Sequence, residues 1–192
     1  MDVRGDGRLQ DAVARALETA GFELGRGGRV VAFEDVPDAG ALVVDLDGSA
    51  GRPGQCVLRP GAVAMRGSYP EPWRWLFETL LTGRPLRLGM RARCDVVHRD
   101  DLVGATVHAV AEGVVGAWCV GSAGRVGELD LGRALRVETG SSSVVLPALR
   151  ARLPAAPELA RLPGFSPRHD ALAAARHWVE QYQRDRSDLA RR

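Results

Sequence analysis

What most constrains this chain is a series of short, nearly continuous apolar runs, Val30–Phe33, Ala41–Asp45, Cys56–Pro60 and Ala117–Val120, set between stretches of helical periodicity. A strand with one wet face alternates apolar and polar residues, whereas ALVVD (41–45) has no polar position before its end. Strands of that kind need cover on both faces, as in a parallel sheet flanked by helices. The helical stretches supply such cover. Leu9, Val13, Ala16 and Leu17 share one face of 8–20, which Gly21 closes. Trp73, Leu76, Phe77 and Leu80 form a stripe in 72–81, with Pro72 at the first helical position and Gly83 and Pro85 beyond the end. Further helices are predicted from a cap at Asp100 or Asp101 to about Glu112, over about 127–137, and over about 168–185 after Ser166 and Pro167. Phe22–Leu24, Leu86–Leu88 and Cys94–His98 read as extended, while Pro147 interrupts Val144–Leu146 and leaves it untyped. Strands alternating with helices define an α/β class.

The chemistry is narrowed by one count. The 192 residues carry 26 basic side chains and every one is arginine. A chain without lysine can form no Schiff base and lacks the lysine of a phosphate-binding P-loop. Against 24 acidic residues the formal charge is +2, so neither nucleic acid nor a membrane surface is an expected partner. The polar start, Met1–Leu9, has no signal-peptide pattern, which leads to a cytoplasmic expectation. Cys56, Cys94 and Cys119 are scattered and lie in apolar runs, as buried reduced thiols do. His98, His108, His169 and His177 show no ligand spacing, so no metal is expected.

Five segments, in order, resemble the NAD-dependent epimerase/dehydratase family, the extended short-chain dehydrogenase/reductases. CVLRPGAVAMRG (56–67) resembles the family's "LRPgnvyGp" strand and turn, and WLFETLLTGRPLRLG (75–89) its "ll.G.pl.l.G" helix end. CDVVHRDDLVGATVHAV (94–110) is similar to "RDfvHVdDla", WCVGS (118–122) to "yNvGsg", and GFSPRHDALAAARHWVEQY (164–182) to the closing "lGwsPr" segment. Farther forward, VRGDGRLQDAVARALETAGFEL (3–24) resembles an eroded nucleotide-binding turn. Gly5 and Gly7 remain there, and Gln10 stands where the third glycine belongs. FEDVPDAGALVVDLDG (33–48) resembles the stretch whose aspartate, here Asp35, meets adenine. The resemblance implies a reduced Rossmann-like parallel sheet with a small C-terminal substrate lobe. It would be one truncated domain over 1–192, with residues 1–55 forming its eroded nucleotide-binding region and residues 56–192 its substrate-binding region.

Where the family carries two long helices and a catalytic Tyr-x-x-x-Lys, this chain has only GSAGRPGQ (48–55). Tyrosine–lysine hydride catalysis is therefore excluded by composition, and no cofactor is expected. The missing helices would leave apolar sheet surface to be covered by a second copy or a partner protein. Ligands of open α/β sheets bind beyond the carboxyl ends of the strands, which singles out Asp45, Asp47 and Arg59. Asp45 and Asp47 point the same way on one strand and suit acid–base work, or else simply close the strand in a polar turn. In MRGSYPEPWRW (65–75), Tyr69 and Glu71 flank Pro70, within the segment where the family binds substrate. Trp75 lies about 200° around the helix from the core-facing Trp73 and so becomes a ligand platform or a partner contact. His98 matches a family histidine of structural role and is also a candidate base beside Asp100 or Asp101. Arg91 and Arg93, near the site of the family arginine now replaced by Cys94, are an anion clamp or a solvated pair. His169 is expected exposed in the first turn of the last helix.

The leading expectation is a cofactor-independent, non-redox enzyme of isomerase, cyclase or lyase type. It would act on a small organic substrate in specialised-metabolite or sugar biosynthesis, with Tyr69, Glu71, His98, Asp45 and Asp47 catalytic. The alternatives are a non-catalytic subunit or ligand-binding module partnering a full-length enzyme, and a weak NAD(P) binder using Gly5, Gly7 and Arg26.

Overall fold

The computed structural model describes residues 2–4, 7–21, 30–32, 42–44, 56–155 and 157–191. Its elements run β1 (Asp2–Arg4), α1 (Gly7–Thr19), β2 (Val30–Ala32), β3 (Leu42–Val44), β4 (Cys56–Pro60), β5 (Ala62–Ala64), α2 (Trp73–Leu81) and β6 (Leu86–Gly89). They continue with β7 (Arg93–Cys94), β8 (Val96–His98), α3 (Arg99–Ala111), β9 (Gly116–Val120), β10 (Val126–Gly127), α4 (Glu128–Glu138), β11 (Val145–Ala148) and α5 (Ala171–Ala190). Two compact units result, one of Met1–Pro60, Arg99–Val120 and Pro157–Pro167, the other of Gly61–His98, Gly121–Ala156 and Arg168–Arg192.

The first unit is a five-stranded, wholly parallel sheet in the order β1-β2-β3-β4-β9. Its helices α1 and α3 pack on one another, and α3 also packs on β3 and β4. The helix stripe read from 8–20 is the buried one: Leu9, Val13 and Leu17 are buried and Ala16 half-buried. On β4, Cys56 and Leu58 face one side and Val57 the other, and all three are buried, so β4 leaves no apolar face open. The free edge of β9 is covered by 160–162, where Cys119 N donates to Ala160 O at 2.8 Å and Leu162 N to Cys119 O at 3.1 Å.

The second unit holds three two-stranded ladders, β5-β8, β6-β11 and β7-β10, with α2, α4 and α5. Its core is aromatic: Trp73, Phe77 and Trp178 are fully buried, with ring centroids 5.4–6.4 Å apart. Each such side chain contributes about 3 kcal/mol by burial alone. The Trp178 indole N–H donates to Met65 O and Ser68 O, so the one polar atom of that ring is satisfied. Three boundaries differ from the sequence expectation. The last helix is capped by Asp170, whose carboxylate accepts from Ala173 N at 2.7 Å, because an aspartate nearer the apolar stripe outcompetes Ser166. Asp100 and Asp101 lie inside the first turn of α3, where they meet the helix dipole, instead of before it. The untyped run leads into a strand, β11, which starts at Val145: Leu86 N donates to Val144 O and Met90 N to Ala148 O, so β6 holds this segment through even-numbered residues and Pro147 points its nitrogen away.

Candidate functional site

Three histidines distant in sequence meet in the second unit. His98 ends β8 and is buried, and its ring stacks on His169 at 4.0 Å and lies nearly parallel to that of His177 of α5 at 5.0 Å. His98 Nε2 and His177 Nδ1 are 2.8 Å apart, and His177 Nε2 lies 2.9 Å from the Gln181 amide nitrogen one turn farther along α5. His169 is half-buried and precedes the α5 cap, which corrects its expected place, exposed in the first helical turn. Its position is set by the turn 121–124. Buried Asp95 accepts from Ser122 N at 2.9 Å and from the Ser122 hydroxyl at 2.5 Å, with Arg125 Nε 3.7 Å from its other oxygen. The same turn holds the start of α5, since Ala123 N donates to His169 O and Ala171 N to Gly124 O. Gly61 lets the chain pass here, because a Cβ on it would lie 2.6 Å from Asp95 O.

The His98–His177–Gln181 chain has two self-consistent proton arrangements. In one, the Gln181 amide donates to His177 Nε2, His177 Nδ1–H donates to His98 Nε2, and His98 carries its proton on Nδ1. In the other, the amide is turned over, His177 Nε2–H donates to the Gln181 oxygen, and His98 Nε2–H donates to His177. In that second state the Gln181 oxygen gains a donor, and the amide NH2 takes over the buried position that has no hydrogen bond in the first. Among the described residues no group of three or more His, Cys, Asp or Glu is arranged to hold a metal.

The other candidate residues do not converge on this stack. Tyr69 donates its phenol to Asp185 Oδ2 at 2.7 Å, while Arg66 Nε holds Asp185 Oδ1 at 2.9 Å. Burial, reinforced by Asp185, pushes the Tyr69 phenol up to about 12, so it stays protonated and serves as a hydrogen-bond donor. Asp185 is eight residues from His177 on α5, about 12 Å along the axis. Glu71 is exposed, as are Arg91 and Arg93, whose side chains have no ion-pair partner among the described residues. Trp75 is half-buried, with the Arg152 guanidinium 5.9 Å over its ring. Arg59 is half-buried in β4 of the first unit. Asp45, Asp47, Asp35, Gly5 and Arg26 lie outside the described residues, and Gly7 opens α1.

Several participants escaped the sequence reading. His177 and Gln181, four apart on α5, carried a usable signal; the pairing of His177 with the expected candidate His98, 79 residues away, carried none. Glu128, the first residue of α4, was also missed. It is 1 % exposed and accepts Gly89 N at 3.1 Å and Arg152 N at 2.9 Å, tying β6 to the loop that carries Arg152. The Cys94 thiol is pushed up to about 12, chiefly by burial and then by the Glu128 charge, so it is inert as a nucleophile.

No family model matches the chain, and no curated protein matches it. Solved structures do. The Thermus thermophilus UDP-glucose 4-epimerase, in complex with NAD, superposes with a TM-score of 0.59 at 13% identity over 95% of this chain and 98% of that one. The Thermotoga maritima UDP-glucose 4-epimerase, with UDP-glucose, gives 0.55 at 17% identity over 68% of this chain, which spans only 46% of that enzyme. A dTDP-glucose 4,6-dehydratase of Bacillus anthracis, with NAD, gives 0.54 at 13% identity over 91% and 67%. The chain therefore has the Rossmann-like α/β fold of the NAD-dependent epimerases and dehydratases. The tyrosine–lysine pair that the family resemblance implies has no counterpart in this chain. There is no lysine, the Tyr69 phenol is bound to Asp185 and the Tyr182 phenol donates to Glu78 at 2.9 Å. Among the described residues no helix is long and apolar enough to cross a membrane.

Proposed function

We propose that this chain is a cofactor-independent, non-redox relative of the sugar-nucleotide epimerases and dehydratases. It moves a proton on a small organic substrate, in an isomerase, cyclase or lyase type of reaction. The observation that carries the reading is the His98–His177–Gln181 chain with its two proton arrangements. His98 Nδ1 carries a proton to give in the first arrangement and accepts one in the second, while the proton between His98 and His177 crosses over and His177 Nε2 exchanges the balancing proton with solvent. His169 stacks on the reacting imidazole, and the Asp95–Ser122 link fixes that ring in place. Kinship in fold to enzymes whose structures hold UDP-glucose or NAD supports a polyhydroxylated, sugar-derived substrate.

Exchange of carbon-bound hydrogen tests this. A panel of ketoses, aldoses and hydroxy-acids is incubated in D2O with the protein and no added NAD(P), and deuterium uptake is followed by NMR. Enzyme-dependent uptake that falls about 100-fold or more in both His98→Gln and His177→Gln is expected. Turnover that requires NAD(P), or uptake equal in both variants, refutes the proposal.

A second reading, a non-catalytic subunit partnering a full-length enzyme, is supported by apolar side chains exposed in the second unit. Leu149 is 91 % exposed, and Met90, Val144 and Leu146 are exposed near it along β6 and β11. Sedimentation of the isolated chain separates the readings: a discrete, soluble species favours the enzyme, and self-association relieved by a co-expressed epimerase favours the subunit.

A further inference from the structure

A cavity of about 470 Å³ in the second unit, distinct from the histidine stack, is lined by Trp75, Glu78, Thr79 and Thr82 of α2 and its end, by Arg84 and Pro85 after it, and by Arg186 of α5. Arg186 lies nine residues beyond His177, about 13 Å along α5. We propose that this cavity binds a small aromatic anion, a ring carrying a phosphate or carboxylate group, with the ring on Trp75 and the anionic group between Arg84 and Arg186.

The site is built from the helix end. α2 finishes in a motif that needs Gly83 at φ +69°: Gly83 N donates to Leu80 O and Arg84 N to Thr79 O. A side chain at 83 would also meet Ser142 Oγ at 2.5 Å, so the backbone that presents Arg84 is tightly fixed. The last carbonyls of α2, which would repel an anion, are already occupied. Glu78 O accepts from Thr82 N and the Thr82 hydroxyl, Thr79 O from the Ser143 hydroxyl, and Leu80 O from the Ser141 hydroxyl. The single lining carboxylate, Glu78, is engaged by the Tyr182 phenol at 2.9 Å. Arg84 and Arg186 are exposed and have no carboxylate partner among the described residues, which leaves two guanidinium forks facing one opening. Arg152 sits over Trp75, and its backbone N–H is tied to Glu128, which holds the indole as a wall of the cavity. The volume fits a ring with one anionic substituent, within the usual range for small-molecule sites.

Calorimetric titration of the full chain with phenyl phosphate, inorganic phosphate and benzyl alcohol tests the assignment. Saturable one-site binding of phenyl phosphate with a Kd of about 1 mM or tighter is expected. Inorganic phosphate and benzyl alcohol should each bind at least about tenfold more weakly. The double substitution Arg84→Gln with Arg186→Gln changes only exposed side chains and should weaken phenyl phosphate at least about tenfold, whereas Glu78→Gln should tighten it. Trp75→Leu should bring phenyl phosphate to the level of inorganic phosphate. Absence of saturable binding by wild type, equal binding of inorganic phosphate, or an affinity unchanged in the double arginine variant would each overturn the proposal. Because these readouts are binding alone, they stand or fall separately from the proton-exchange test of the histidine chain.

Discussion

Removing the Glu128 carboxylate should test how the second unit is held together. Glu128→Ala takes the acceptor from two backbone N–H groups at once, those of Gly89 and Arg152. Gly89 is buried and cannot recruit water, so its orphaned N–H costs about 1–3 kcal/mol. Arg152 is exposed and can turn to solvent, so it adds little beyond the charge-assisted bond it loses. Together the loss is about 2–4 kcal/mol. Glu128→Gln keeps one oxygen for both donors but sets an N–H against Arg152 N, at a cost of about 1 kcal/mol. Urea titration reads the difference as a drop in midpoint of about 1–2 M for alanine and less than half that for glutamine, with the slope unchanged. The thiol of Cys94 supplies a second readout. Losing the Glu128 charge lowers its pKa from about 12, while burial, the larger cause, keeps it above the ordinary value. An alanine variant within about 0.5 kcal/mol of wild type, a difference too small for an orphaned buried donor, would refute this account of Glu128.

Two further outcomes are expected. Cys56, Cys94 and Tyr69 have folded values raised from 9.0, 9.0 and 10.0 to about 11, 12 and 12, so the unfolded chain gives up these protons first. Stability is therefore full below pH 9 and declines as pH rises toward 12; urea midpoints that stay flat from pH 8 to 11 would contradict it. Asp170→Ala removes the α5 cap and should cost about 1 kcal/mol, lowering Tm by about 2–4 °C, with Asp170→Asn recovering most of it.

The helices of this chain were legible because their apolar stripes are local. Leu9, Val13 and Leu17, and Trp73, Leu76, Phe77 and Leu80, are buried where periodicity put them. Strand β4 was legible for the same reason, and the epimerase/dehydratase likeness supplied the fold that the superpositions bear out. The site was legible only in pieces. His98, Tyr69 and Trp75 were singled out, yet the partners that give them meaning sit on distant elements: His177 and Asp185 on α5, Arg152 after β11. Long-range pairing leaves no trace in a single sequence unless both ends carry a motif, and neither Asp185 nor Arg152 does. Strand β11 was missed because proline is a strand breaker everywhere except at an edge, and edge position is a tertiary fact.

That proline has a consequence for how the protein keeps to itself. Among the described residues β11 pairs only with β6, so its outer rim is an unfinished ladder beside the exposed Leu146 and Leu149. A rim of that kind invites an extended segment from another molecule to continue the sheet. Here an arriving strand would find the amide of Val145 and then, at Pro147, a ring in place of the next donor. The apolar side chains at this margin remain available for side-on contact, while a strand added to the sheet would find no donor at Pro147 and only carbonyl acceptors there.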